Sequence, residues 1–140
     1  MTSWSIGHAQ REQIEVELLS SAANDCGYDW VSTRAHVAVG AFRADIPMLI
    51  LATDLRRFRE ALLPVYRDLD GIAEFTTIED QLYLKVEIDR VGHVQVTGYV
   101  KDDASFGNRL TFELQFDQTM LRGTLSELSH ALSVLEESAV

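Results

Sequence analysis

The sequence is poor in cysteine, proline and basic residues. It has one cysteine, Cys26, two prolines, Pro47 and Pro64, and 12 lysines and arginines against 22 aspartates and glutamates. One cysteine excludes an intramolecular disulfide, and a 140-residue chain needs none, because a domain of this size buries roughly two-thirds of the surface its unfolded chain exposes. The longest apolar run, Ile46 to Ala52, falls far short of the ~20 residues that span a bilayer. The opening Met-Thr-Ser-Trp-Ser-Ile-Gly-His has neither the basic start nor the apolar stretch of a secretory signal. The expected location is therefore the cytoplasm. The shortage of bases leaves a net charge of −10. That counts against direct nucleic-acid binding, which needs cations to replace phosphate counterions, and against attraction to an anionic membrane. A basic protein partner would be attracted at long range.

What is present is ordinary globular material: 46% apolar and 24% charged residues, read as a single domain over 1–140. Alternation from Ile14 to Ala23 and from Trp30 to Val39 predicts two strands. The second has Val31, Thr33, Ala35, Val37 and Val39 on one face, opposite Arg34 and His36. A third covers roughly Phe42 to Leu51, and Pro47 makes it an edge or ends it near that point. The period then changes. Leu55, Phe58, Leu62, Val65, Tyr66 and Leu69 form one stripe of a helix near 53–70, with Thr53 as N-cap, Gly71 as stop and a kink at Pro64. Alternating segments follow at Ile72–Ile78, Leu82–Ile88, Val94–Val100 and Leu110–Phe116, with Arg90-Val91-Gly92 as a tight hairpin connection. A last helix near 119–137 carries Leu121, Leu125, Leu128, Leu132 and Leu135, capped by Thr119 or Asp117. The expected fold is α+β: one antiparallel sheet of about six to seven strands with both amphipathic helices packed on one face.

The catalytic templates fail. There is no glycine-rich phosphate loop, nucleophile elbow or His-Glu-x-x-His pair. His8, His36, His93 and His130 lack metal-ligand spacing, and nothing local activates Cys26 as a nucleophile. Asp102-Asp103 and the acids around Leu69 do not resemble a calcium loop. The expectation is a protein that is not an enzyme and uses no cofactor and no metal. Surface is what remains. Glu15, Glu17, Arg34, Lys85, Glu87, Gln95, Tyr99, Glu113 and Gln115 would lie on the solvated face of the sheet. The loops place Tyr28 and Asp29 beside Trp30, and Phe106 beside Asp102 and Asp103. Aromatic rings next to carboxylates suit a protein interface, where ring burial gives affinity and charge steers approach. The candidate partner-binding residues are Tyr28, Asp29, Glu87, Tyr99, Asp102, Asp103, Phe106 and Glu113. In the first helix Asp54, Glu60, Asp68 and Asp70 balance Arg56, Arg57, Arg59 and Arg67. The net negative charge therefore lies elsewhere, which favours the sheet and its loops as the surface for a cationic partner.

The order of motifs then supports a comparison. Trp30 and an alternating strand precede Leu51-x-x-Asp54-Leu55-x-x-Phe58 at a helix start. Glu79-x-x-Leu82-x-Leu84, Gly92-x-Val94-x-Val96 and Leu110-x-Phe112-x-Leu114 follow, then Asp117-x-Thr119-x-Leu121 opening the last helix. Over roughly residues 14–135 this resembles the WapI-type immunity proteins of bacterial polymorphic-toxin systems and related uncharacterised bacterial domains. The resemblance implies a cytoplasmic protein that sequesters a cognate toxin, often a nuclease. It carries over no catalytic residues and places no toxin-binding residue by motif. Two competing expectations stand beside it. One is a small α+β enzyme that gathers His36, His93 and Cys26 around a pocket. The other is a structural or assembly subunit.

Overall fold

A computed structural model describes residues 2–23 and 29–138. Its elements run β1 (Thr2–His8), β2 (Glu12–Ala23), β3 (Asp29–Val39), β4 (Phe42–Leu51), α1 (Ala52–Asp68), β5 (Ile72–Phe75), β6 (Leu82–Ile88), β7 (His93–Lys101), β8 (Arg109–Asp117) and α2 (Leu121–Ser138). The α+β class, the antiparallel pairing and the two helices are as expected. The strands differ from the expectation in number and grouping: the eight among the described residues form two four-stranded antiparallel sheets, ordered β1-β2-β3-β4 and β5-β6-β7-β8. Alternation tells which face of a strand is buried. It does not tell which strands share a sheet. Here each half of the chain is a meander in which strands that follow one another in sequence pair antiparallel, and α1 intervenes between β4 and β5.

β1 was not expected. It offers only Trp4 and Ile6 as inward apolar residues, set among serines and Gly7, yet it pairs with β2 along its whole length. Pro47 lies on β4, an edge of the first sheet, as its missing N–H requires.

The inner faces of both sheets and the stripes of both helices meet in one core. Its centre is aromatic. Trp4 of β1, Phe58 of α1 and Phe75 of β5 lie with ring centroids 5.4–5.6 Å apart, which joins the first sheet, the helix layer and the second sheet. α1 packs along β5 and α2 along β1, and the helices touch each other. This replaces the expected packing of both helices on one face of one sheet. α2 also covers the free backbone of the β1 edge. Ser5 N–H donates to Glu127 Oε1 at 3.0 Å, and Thr124 Oγ1 donates to the Ser5 carbonyl at 2.7 Å. A sheet edge left open would template unwanted pairing.

The helix ends differ slightly from the sequence reading. Leu51, not Thr53, occupies the N-cap position of α1. Its N–H donates to Asp54 Oδ2 at 2.8 Å, and Asp54 is buried beside Arg57, with Arg57 Nη2 2.9 Å from Asp54 Oδ1. α1 continues through Pro64 to Asp68, and the left-handed residue that ends it is Leu69, at φ 52°, ahead of Gly71. Before α2, Asp117 Oδ1 accepts the Thr119 N–H at 2.9 Å, one of the two caps anticipated.

Candidate functional site

The polar residues expected on one solvated face are divided between the two sheets. Glu15, Glu17 and Arg34 lie on the outer face of the first sheet, and Lys85, Glu87, Gln95, Tyr99, Glu113 and Gln115 lie on that of the second. Of the candidate partner-binding residues, Glu87 of β6, Tyr99 of β7 and Glu113 of β8 share this second face. Asp102, Asp103 and Phe106 occupy the loop that joins β7 to β8. Tyr28 and the Asp29 side chain lie outside the described residues, as does Cys26.

On the second sheet the register sets Tyr83 directly opposite Tyr99, and their rings stack at 5.3 Å. The Arg109 guanidinium lies 4.3 Å above the Tyr99 ring, a cation–π contact. Both hydroxyls are held. Tyr83 donates to Glu74 Oε2 at 2.6 Å, and Tyr99 donates to Asp80 Oδ1 at 2.7 Å, while Lys101 Nζ lies 3.3 Å from Asp80 Oδ2. The bond to the Glu74 carboxylate pushes the Tyr83 phenol up to about 12, and the bond to Asp80 raises Tyr99. Both rings therefore stay protonated at neutral pH and act as donors. Beside them Gln95 Nε2 and Gln115 Nε2 donate to Glu113 Oε1 at 2.8 and 3.1 Å, and Lys85 pairs with Glu87 at 3.5 Å.

The β7–β8 loop is shaped by its own acids. Asp102 Oδ1 accepts the Asn108 N–H at 2.9 Å, and Asp103 Oδ1 accepts those of Ser105 and Phe106 at 2.9 and 3.1 Å. These N–H bonds, that from Ser105 first, hold the Asp103 carboxyl below its ordinary value. The loop is thereby ordered without an apolar core of its own, and Phe106 stands 85% exposed on it.

The histidines do not converge. His36 Nε2 lies 3.1 Å from Glu17 Oε1 on the first sheet, whereas His93 Nε2 lies 3.0 Å from Gln115 Oε1 on the second. Among the described residues no three His, Cys, Asp or Glu side chains group closely enough to hold a metal ion. No helix among them is long and apolar enough to cross a membrane.

Sequence reasoning missed Tyr83 and Arg109 as neighbours of Tyr99. The short Asp89–Gly92 turn contains the signal for the first. It closes with Gly92 N–H to the Asp89 carbonyl at 3.2 Å, and counting outward from it brings Tyr83 to Tyr99. Glu79, read as part of a hairpin connection, and Leu49 line a groove between β4 and the β7–β8 loop. No local pattern marks them.

Comparison with known proteins adds one positive finding. The family model described as Immunity protein WapI-like family matches residues 5–135. No curated protein matches the chain.

Proposed function

The chain belongs to the WapI-like immunity protein family, and on that premise we propose that it is a cytoplasmic immunity protein that neutralises a cognate toxin domain by covering its active site. The observation that carries this reading is the family match over nearly the whole chain, residues 5–135. An immunity family implies a protein partner, the toxin, and points to a role other than catalysis. The chain acts as one folded unit, and no bond is made or broken by it.

The partner is a basic, nuclease-like domain. With a net charge of −10 the protein is complementary to a cationic nucleic-acid channel, and the same charge disfavours its own contact with nucleic acid or an anionic membrane. Opposed charge also speeds capture, which matters when a toxin must be intercepted before it acts.

The test is co-expression with the C-terminal domain of the toxin encoded beside this gene. Protected cells and a stable complex on size-exclusion chromatography are expected. Association should slow as salt rises, because exposed charges are screened beyond about 8 Å at physiological ionic strength, while dissociation changes less. Continued killing despite good expression, with no complex, overturns the assignment.

A further inference from the structure

Two surfaces compete for the toxin: the outer face of the second sheet, and the groove of about 540 Å³ between β4 and the β7–β8 loop. The geometry points to the groove, and to a basic, extended segment of the toxin as its occupant. This rests on the immunity reading and adds where the partner sits and by what chemistry it is held.

Charge selects the occupant. The charged residues that line the groove are Glu79, Asp102 and Asp103, all acids, with no base among the lining residues. Glu79 makes no hydrogen bond or ion pair with the described residues, and the bonds that shape the loop engage only Oδ1 of Asp103. These oxygens can accept from a lysine or arginine without breaking an existing contact. The outer face differs. There Lys85, Lys101 and Arg109 set cations among the acids, and the carboxylates of Glu74, Asp80 and Glu113 already accept from Tyr83, Tyr99 and Gln95.

Apolar surface supplies the second term. The walls carry Leu49, 47% exposed on β4, together with Pro47 and Ala104. The aliphatic stem of a lysine or arginine can lie along such side chains while its charged head reaches the carboxylates.

Recognition is by side chains rather than by strand addition. The β4 edge is blocked at Pro47, which has no N–H to donate and whose carbonyl accepts from Gln81 Nε2 at 3.4 Å.

The experiment compares the same charge reversal at two places. Glu79→Lys lies in the groove and Glu87→Lys on the outer face, so both weaken long-range attraction alike and only contact separates them. Affinity is measured for the purified, catalytically silenced C-terminal domain of the adjacent toxin, alongside thermal unfolding of each variant. Glu79→Lys should weaken binding at least ~10-fold more than Glu87→Lys, and Leu49→Ala, in the groove wall, should weaken it as well. Equal losses, or a larger loss at Glu87, overturn the groove and leave the immunity reading intact. A wild-type protein that neither binds nor protects overturns both. Hydrogen exchange on the wild-type complex gives an answer free of any variant. Slowed exchange at 45–50, 79–81 and 102–106 supports the groove, and protection confined to β6 and β7 refutes it.

Discussion

Gln81 joins β4 of the first sheet to β7 of the second through Pro47. Its Nε2 donates to the Pro47 carbonyl at 3.4 Å and to the Lys101 carbonyl at 3.3 Å, and its own carbonyl accepts the Lys101 N–H at 2.7 Å. The side chain is only 8% exposed, so water does not readily replace it. Gln81→Ala leaves two carbonyls without their side-chain donor and should cost about 1–3 kcal/mol. The denaturant midpoint measures this. A midpoint equal to that of the wild type would show that the two sheets are held together without it.

A fully buried leucine of either helix stripe contributes more than this. Leu62 of α1 and Leu128 of α2 are fully buried in the shared core. Leu62→Ala or Leu128→Ala removes apolar contact and leaves a cavity, at a cost of about 2–5 kcal/mol each. Chemical unfolding followed by circular dichroism checks both. A loss well below that range at either position means that its surroundings collapse to fill the space.

The Tyr83–Glu74 bond gives the protein an alkaline signature. The Tyr83 phenol ionises at about 12 rather than its ordinary 10.0. Its pKa is higher folded than unfolded. The stability it contributes is therefore fully present below about pH 10 and is lost as pH rises through about 12. A titration of tyrosinate absorbance should show Tyr83 ionising well above the ordinary range, with Tyr99 raised as well. Glu74→Gln should bring the Tyr83 step down towards 10.0, since the carboxylate is its main cause. An unchanged step in the variant would assign the shift to burial instead.

Much of this was legible from residue order, because local physics depends on local spacing. A period of two sends Leu82, Leu84 and Val86 inward whichever sheet receives them, and all three are buried. The spacing of Leu55, Phe58 and Leu62 makes a helix stripe before any partner is known. A tight turn after Asp89 fixes the register that stacks Tyr83 on Tyr99. Of the candidate site, Glu87, Tyr99 and Glu113 were correctly read as outward-facing and Phe106 as an exposed loop residue. Tertiary structure decided the rest. Periodicity does not say that the strands divide into two sheets, and β1, with only Trp4 and Ile6 to offer, becomes a strand because β2 pairs with it and α2 seals its edge. An acid in a loop reads the same from sequence whether it shapes the chain or faces solvent. Only the fold shows Asp102 bonded to the Asn108 N–H while Glu79 bonds to none of the described residues. The groove exists because Leu49, Glu79 and Asp103, far apart in the chain, are brought to one place by packing two sheets against a shared core. The energy that does so comes from burying the inward faces, and those outward residues contribute almost nothing to it.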